Sequence, residues 1–173
     1  MQHFYYGDGK GKTSAAVGAA MRFAGAGGNV LFYQFLKGND SNERKVLQQI
    51  SNIHVLEGPA KIKFLFQMTL EEKQELSRYY KEKLRELQNL IKKEDFGMVV
   101  LDEAGDLIDT MLLESKEFLH WLGQVKQLGE REIILTGHQP VKDFIDSSDY
   151  VTCMKKMRHP YDAGQQAREG IEY

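Results

Sequence analysis

The chain has 173 residues, a formal net charge of −2, 42% hydrophobic residues and 28% charged residues. This length suits one domain with a full α/β core, and the composition excludes a disordered chain. The nearly balanced charge provides no broad basic field for nucleic acid or an anionic membrane, so it favours a small-molecule ligand.

Cysteine usage and the N-terminal sequence indicate the compartment. Cys153 has no second cysteine with which to form an intramolecular disulfide, which favours a reducing cytoplasm and predicts a small buried side chain. Residues 1–5 contain no basic region or apolar signal, and no run of about 18 apolar residues occurs. We therefore expect residues 1–173 to form one cytoplasmic domain that is neither secreted nor membrane-spanning.

The first predicted elements are a strand, a glycine-rich loop and a helix. Residues 2–6 are short and aromatic, as in a buried strand, and residues 14–23 predict an alanine-rich helix that ends at the glycines of residues 25–28. The loop consists of Gly7, Asp8, Gly9, Lys10, Gly11, Lys12, Thr13 and Ser14. This order is the context that a phosphate-binding loop requires.

The glycine-rich loop carries the residue types that a nucleoside triphosphate and Mg²⁺ need. Glycines let backbone N–H groups approach an anion, Lys12 can reach the terminal phosphates, and Thr13 can hold Mg²⁺. The usual Walker pattern requires glycine at the position of Tyr6, but here the glycine follows at Gly7. The loop is thus a variant, and the alternative is a flexible turn with a solvated lysine.

The middle of the chain predicts a strand, a short helix, a strand and a long helix. The first three are residues 29–35, residues 41–50 with Ser41 as the cap, and residues 53–56. Residues 58–68 show no clear period. Thr69 and Glu72 then form a capping box that opens the long helix. Its apolar face comprises Leu70, Leu76, Tyr80, Leu84, Leu87 and Ile91.

The last third of the chain continues the alternation. Residues 96–103 predict a buried strand that ends in Asp102 and Glu103, and residues 114–128 predict a helix in which Trp121 is a packing residue. The remaining elements are a strand at residues 132–135, a loop at 136–140, a short helix at 141–145 and a strand at 150–154. The alternation predicts an α/β, three-layer P-loop NTPase (RecA-like) fold, with a mostly parallel sheet and helices on both faces.

The acidic end of the strand at residues 96–103 complements the glycine-rich loop. In P-loop proteins a second acidic strand end completes the Mg²⁺ site, because Thr13 alone cannot hold the cation against a polyphosphate. Asp102 and Glu103 provide that feature. No N-K-x-D element for guanine occurs, which favours adenine. These signals indicate a nucleoside triphosphate and Mg²⁺, but they leave the reaction open.

Several stretches together resemble the P-loop corrinoid adenosyltransferases, also called cob(I)alamin or cob(I)yrinic acid a,c-diamide adenosyltransferases. They are residues 7–16, 22–28, 34–38 with Glu43, 100–103, 134–137, and the C-terminal residues 158–164, 167 and 170–173. The stretch Arg158-His159-Pro160-Tyr161-Asp162-Ala163-Gly164 is the most specific match. The resemblance covers essentially the whole chain except the long helix.

The resemblance implies that ATP donates its 5′-deoxyadenosyl group to a corrinoid. Cobalt, reduced to Co(I), attacks the 5′-carbon of ATP, and tripolyphosphate leaves. The substrate's metal is the nucleophile, so no nucleophile or general base is required from the protein. Lys12, the loop N–H groups and Mg²⁺ would neutralise the leaving group, with Thr13 and Glu103 as the Mg²⁺ ligands and Asp102 behind them. A homodimer and a reductase that supplies electrons are also implied.

The resemblance further assigns residues to substrate binding. Phe64 and Phe66 match aromatic residues that pack below the corrin ring and displace its lower ligand, although Phe66 stands where tryptophan is usual. From the residues alone, both would be predicted in the core of a short strand. Arg22, His138 and His159 lie in or beside matching stretches and are predicted to contact the substrates.

Two departures from the family pattern qualify these expectations. His138 stands where arginine is usual, which predicts a weaker or pH-dependent phosphate contact, or only a cap on the next helix. The chain begins at its first strand, whereas many relatives carry an N-terminal extension over the corrinoid, so we expect a more open corrinoid site.

The alternatives to an adenosyltransferase are a P-loop ATPase or kinase, and a non-catalytic corrinoid-binding or delivery module.

Overall fold

The computed structural model describes residues 1–171, in which strands alternate with helices. The strands are β1 (Gln2–Tyr6), β2 (Val30–Gln34), β3 (Ile53–Val55), β4 (Met98–Asp102), β5 (Glu132–Gly137) and β6 (Tyr150–Cys153). The helices are α1 (Lys12–Gly25), α2 (Asn42–Leu47), α3 (Leu70–Lys93), α4 (Ala104–Asp109), α5 (Ser115–Gln127) and α6 (Lys142–Ser147), with 3₁₀ turns at Leu65–Gln67 and Pro160–Ala163. The predicted α/β class is confirmed.

The strands form one sheet in the order β3-β2-β4-β5-β1-β6, and every pairing among the described strands is parallel. Parallel neighbours need long crossover connections, which the helices provide. All strands therefore end at the same edge of the sheet, so the loops after β1, β2, β4 and β5 lie together. In open α/β sheets this edge is where ligands bind.

Helices cover both faces of the sheet, as predicted, and β4 shows why. Its side chains alternate: Val99 and Leu101 pack into a core with α3, α5 and α6, whereas Met98 and Val100 pack into a core with α1 and α2. The strand is buried on both sides, which explains its continuous apolar sequence. Three alanines let α1 approach the sheet closely, namely Ala16, Ala20 and Ala24.

The long helix α3 begins at the predicted capping box. The Thr69 hydroxyl accepts from the Glu72 N–H, and the Glu72 carboxylate accepts from the Thr69 N–H. The apolar face is confirmed from Tyr80 to Ile91, but Leu70 is 72% exposed because the first turn lies beyond the core. None of the described helices is long and apolar enough to cross a membrane.

Three local expectations meet different outcomes. Trp121 is a packing residue, as predicted, and its Nε1–H donates to the Leu84 carbonyl at 2.8 Å. Ser41 occupies the N-cap position of α2, but its hydroxyl donates to Gln34 instead of capping the helix. The burial predicted for Cys153 is wrong, because β6 is an edge strand and leaves its side chains exposed. Helix α4 was not predicted.

Candidate active site

The glycine-rich loop after β1 is shaped by a close approach of the chain after β6. Gly9 donates its backbone N–H to the Met154 carbonyl at 2.7 Å. A Cβ atom on Gly9 would lie 2.6 Å from that oxygen, and one on Gly7, where φ is 119°, would also overlap it. Only glycine fits at these two positions. The displaced glycine of the sequence pattern is therefore a requirement of this backbone packing.

Lys12 is the first residue of α1, where unpaired N–H groups and the helix dipole favour an anion. Its Nζ folds back over the loop and donates to the carbonyls of Gly7 at 2.7 Å and Gly9 at 2.9 Å. Burial lowers the pKa of Lys12, although nearby carboxylates oppose this shift. The side chain is held over the cradle by two neutral acceptors, which an anionic phosphate can replace.

Asp102, the last residue of β4, is the centre of a buried polar cluster and has no exposed surface. Four side chains donate hydrogen bonds to its carboxylate: Thr13 at 3.0 Å, Gln34 at 3.1 Å, Lys37 at 2.8 Å and Thr136 at 2.7 Å. Burial alone would raise the pKa of Asp102, but Lys37 and the hydrogen bonds bring it below its ordinary value. The carboxylate is therefore ionised and fixed in place.

Lys37 lies in the matching stretch of residues 34–38, but the sequence did not predict it as a site residue. Its Nζ also contacts Thr13 Oγ1 at 3.2 Å and Glu103 Oε1 at 3.3 Å. Burial alone would lower the pKa of Lys37, but Asp102 and Glu103 raise it above its ordinary value. The sequence shows that Lys37 follows the end of a strand, but it does not show that β2 pairs with the acidic β4, which brings Lys37 to Asp102.

Backbone strain accompanies this cluster. Leu36 and Glu103 have φ angles of 53° and 60°, in the left-handed region that such residues seldom adopt. Each is held by a hydrogen bond: the Leu36 N–H donates to the Tyr80 hydroxyl at 2.9 Å, and the Glu103 N–H donates to the Thr136 hydroxyl at 2.8 Å. Strain of this kind clusters at functional sites, where it directs side chains. Here it sets the directions of Lys37 and Glu103.

The donors around Lys37 suit Mg²⁺. Thr13, Asp102 and Glu103 offer the hard oxygen atoms that Mg²⁺ prefers, and they already surround a cation. The described residues contain no cluster of three or more His, Cys, Asp or Glu that could hold a metal ion. Burial raises the pKa of Glu103 to about 7, with Asp102 and Asp106 adding to the shift and Lys37 opposing it.

His138 lies after β5, beside Asp106 of α4. Its Nδ1 is 3.0 Å from Asp106 Oδ1, and its backbone N–H donates to the same oxygen at 3.1 Å. The hydrogen bond to Asp106 raises the pKa of His138, although burial and Lys12 oppose the shift. The imidazole therefore carries a proton to a higher pH than free histidine does. The end of β5 thus places an imidazole with a raised pKa near the loop.

The C-terminal segment covers one side of the glycine-rich loop. The backbone N–H of Lys156 donates to Asp8 Oδ1 at 2.9 Å, and this bond lowers the pKa of Asp8. His159 precedes the 3₁₀ turn Pro160–Ala163, and its Nδ1 accepts from the Tyr161 N–H at 3.2 Å. Glu172 and Tyr173, the last residues of the matching stretch, lie outside the described residues.

Two cavities meet at this edge of the sheet. The smaller, of about 430 Å³, brings together nearly all the predicted nucleotide-binding residues; it is lined by residues 8–14, Lys37, Glu103, Asp106, Thr136, His138, His159, Ala167 and Ile171. The larger, of about 1010 Å³, is lined by residues 36–40, residues 60–65 and Glu103. Lys37 and Glu103 line both cavities. They therefore form the boundary between two neighbouring binding spaces.

Phe64 and Phe66 are not core residues: their exposures are 71% and 82%. Their rings stack on each other, with centroids 5.5 Å apart and an interplanar angle of 17°. Phe64 lines the larger cavity, whereas Phe66 lines neither cavity. Adjacent exposed aromatic rings form an apolar surface of the kind that marks a binding site.

Arg22 is the predicted site residue that lies apart from the others. It is in the last turn of α1, about 15 Å along the helix from Lys12, and does not line the smaller cavity. The structure thus brings together the loop, Glu103, His138 and His159, and it places Arg22 elsewhere.

A glycine-rich loop that opens a helix, a lysine folded over that loop and an acidic strand end beside it define a P-loop nucleotide-binding protein. The chain also matches the family model of ATP:corrinoid adenosyltransferase BtuR/CobO/CobP over residues 1–173. It therefore belongs to the ATP:corrinoid adenosyltransferase family, and it is an enzyme of that class.

Individual relatives agree with the family match. The chain is 27% identical to the corrinoid adenosyltransferase of Escherichia coli (strain K12), with 98% of this chain and 83% of the relative covered. It is 29% identical to the corrinoid adenosyltransferase CobA of Salmonella typhimurium (strain LT2), with the same coverage. A corrinoid adenosyltransferase of Pseudomonas aeruginosa is 28% identical, with 96% of this chain and 80% of the relative covered.

Proposed function

We propose that this enzyme transfers the 5′-deoxyadenosyl group of ATP to the Co(I) centre of a corrinoid, with ATP in the smaller cavity and the corrinoid beside the larger one. The observation that carries this arrangement is the shared boundary, since Lys37 and Glu103 line both cavities. A reaction that joins two substrates needs adjoining sites that hold the reacting atoms close together.

In this proposal the glycine-rich loop holds the leaving group. The cobalt electron pair forms a bond to the 5′-carbon of ATP, the bond from that carbon to the phosphate oxygen breaks, and tripolyphosphate departs with the added negative charge. Lys12 and the N–H groups at the start of α1 are positioned to neutralise that charge. Their preorganisation supports this role.

We further propose that Thr13 and Glu103 bind Mg²⁺ together with the phosphates. Bound Mg²⁺ would supply positive charge to the departing tripolyphosphate. Asp102 would orient Thr13, since the Asp102 carboxylate accepts a hydrogen bond from the Thr13 hydroxyl. Because the pKa of Glu103 is about 7, its carboxyl group must lose a proton on binding the cation when the pH is near or below that value.

The corrinoid side requires no protein nucleophile, because the substrate's cobalt supplies the electron pair. We propose that Phe64 and Phe66 pack against the lower face of the ring and keep a lower ligand away from cobalt, which makes Co(II) easier to reduce. Their exposed, stacked rings support this role. The same openness would give a reductase access to the corrinoid.

The cellular setting is part of the proposal and rests on the family resemblance. We propose a cytoplasmic homodimer that receives electrons from a separate reductase. Arg22 lies far from the nucleotide cavity of its own chain, so its predicted substrate contact stays a prediction.

Product analysis tests the proposed reaction. The enzyme is incubated with ATP, Mg²⁺ and chemically reduced cobalamin, and separately with an incomplete corrinoid such as cobyrinic acid a,c-diamide. We expect a light-sensitive Co–C product and one equivalent of tripolyphosphate, and the ratio of rates would show which corrinoid is preferred. Release of only ADP and orthophosphate would contradict the proposal in favour of an ATPase, and corrinoid binding without turnover would favour a delivery module.

A further inference from the structure

We propose that Lys37 is a built-in cation that occupies the magnesium position of the enzyme before metal binds, and that it leaves this position when Mg²⁺ enters with ATP. The inference rests on the proposed Mg²⁺ ligands, Thr13 and Glu103. It concerns a residue to which the sequence assigned no role, and it predicts an ordered exchange of one cation for another.

The first argument is geometric. The Lys37 ammonium group lies 3.2 Å from Thr13 Oγ1, 2.8 Å from Asp102 Oδ2 and 3.3 Å from Glu103 Oε1. These oxygen atoms belong to the two proposed metal ligands and to the carboxylate that orients one of them. Mg²⁺ bound directly to Thr13 and Glu103 would take up the oxygen atoms that the ammonium group now contacts. The two cations therefore compete for one position.

The second argument concerns charge. Asp102 is fully buried and Glu103 is adjacent to it, so the cluster holds two acidic groups with little solvent. A buried carboxylate without a partner strongly destabilises the folded state. A cation is therefore needed in the folded enzyme whether or not metal is present. Lys37 meets that need, and Mg²⁺ can take it over when it arrives with the nucleotide.

The third argument concerns the path of exchange. The side chain of Lys37 is 25% exposed, whereas that of Asp102 has no exposure. Lys37 also lines both cavities, so a flexible four-carbon side chain can move its ammonium group towards either one. An ammonium group released into the nucleotide cavity remains available to phosphate oxygens. The exchange would thus add positive charge to the cavity when the nucleotide is bound.

Metal binding without nucleotide tests the competition directly. Mn²⁺ serves as the probe, and its affinity is measured by electron paramagnetic resonance and titration calorimetry for wild type, Lys37→Met and Lys37→Arg. We expect Lys37→Met to bind Mn²⁺ at least about tenfold more tightly than wild type, because the competing charge is gone. Lys37→Arg keeps that charge and should bind as weakly as wild type. Equal affinities for wild type and Lys37→Met would overturn the proposal.

Two controls locate the bound ion. Lys45→Met removes an exposed lysine of α2 and should leave the Mn²⁺ affinity unchanged. Adding Glu103→Gln to Lys37→Met should abolish the gained affinity. If the double variant still binds Mn²⁺ tightly, the ion lies elsewhere and the inference fails. The assay contains no corrinoid, so its failure leaves the adenosyl transfer reaction standing, whereas the product assay tests that reaction alone.

A measurement on the unaltered enzyme covers the case in which Lys37→Met does not fold. Lysine labelled with ¹⁵N at Nζ is incorporated, and the Lys37 ammonium signal is identified by its absence in Lys37→Arg. With ADP and Mg²⁺ together, we expect this signal to shift and to lose its slow hydrogen exchange, while ADP alone should leave it largely unchanged. A Lys37 signal that stays the same after Mg²⁺ is added would overturn the proposal.

Discussion

The two binding regions of this enzyme are built in opposite ways. Around Asp102, a fully buried carboxylate accepts hydrogen bonds from side chains on four different segments. Around Phe66, by contrast, the side chain is 82% exposed, and its clearest partner is another exposed ring, Phe64. The first region holds charged groups in fixed positions, whereas the second offers an open apolar surface.

This difference fits what each region is proposed to recognise. A polyphosphate carries concentrated charge, and preorganised dipoles and cations stabilise it best inside a cavity that excludes water. A corrin ring is broad and largely apolar, so contact area matters more than exact hydrogen-bond geometry. The segment with Phe64 and Phe66 is accordingly outside the sheet, tied to α3 by the ion pair between Lys63 and Glu72. The following predictions test this contrast.

The largest effect is expected for Asp102→Asn, measured as the free energy of unfolding. The substitution replaces the carboxylate with a neutral amide. The Lys37 ammonium group therefore loses the negative charge of its closest partner in a buried setting. We expect a loss of about 3–5 kcal/mol in urea denaturation followed by circular dichroism. Asp146→Asn is the matched control, since it removes only an exposed pair with Lys142 and should cost less than about 1 kcal/mol. Similar losses for both variants would refute the contrast.

The second effect concerns the nucleotide side and appears in the rate. Lys12→Ala removes the ammonium group over the loop, so the tripolyphosphate leaves with less stabilisation. We expect the activation free energy obtained from kcat/KM with pre-reduced corrinoid to rise by about 3 kcal/mol, on the scale of losing one positioned donor. Lys142→Ala, a surface change, should leave it unaltered. Full activity in Lys12→Ala would contradict the role of the loop.

The arrangement of the glycine-rich loop and the acidic strand end could be predicted well from the sequence because its signals are local. Glycine spacing, the strand before the loop and the helix after it identify the cradle, and the apolar run before Asp102 identifies the second strand end. Lys37 was not identified as a site residue, because its position depends on β2 pairing with β4 and on the left-handed backbone at Leu36. Neither feature has a signature in a single sequence.

The other errors have similar physical causes. Helix α4 was missed because it has six residues and its N-cap is Glu103, a non-glycine residue in the left-handed region, which no helix-start pattern anticipates. The hydroxyl of Ser41 was expected to cap α2, but it donates to the Gln34 side-chain oxygen. The Gln34 side chain is buried, so its oxygen needs a hydrogen-bond donor from the protein. Cys153 was expected to be buried, but strand order, which the sequence does not specify, places it on an edge.

A third prediction concerns the aromatic region. Phe66→Ala should slow reduction of bound Co(II) corrinoid, because the lower face loses an apolar ring, while transfer to pre-reduced Co(I) should change less. We expect the activation free energy of the reduction step to rise by about 1 kcal/mol, which corresponds to about a fivefold loss of rate. Val46→Ala, an exposed apolar residue of α2, is the control. Stopped-flow absorbance of the corrinoid separates the two steps, and equal losses in both would count against the lower-face role.

The smallest effect is expected at His138. Its contact with Asp106 is polar and partly exposed, so it is intermediate between the buried Asp102 region and the exposed Phe66 region. Asp106 raises the pKa of His138 above the free value of 6.5, so the imidazole is charged below that value and loses its charge as the pH rises through the raised pKa. Affinity for ATP should therefore fall over that range. Because the side chain is 57% exposed, solvent screens the contact, and we expect less than about a fivefold change.

Two variants separate the titration of His138 from that of Glu103, whose pKa of about 7 lies in the same region. His138→Arg keeps a positive charge at every pH used, so the fall in ATP affinity should disappear, whereas Asp106→Asn removes the partner that raises the pKa of His138 and should move the fall to lower pH. Equilibrium binding of ATP across the pH range distinguishes these outcomes. If His138→Arg retains the wild-type fall in ATP affinity, the titration of His138 does not cause that fall, and His138 serves only to anchor the turn after β5 to Asp106.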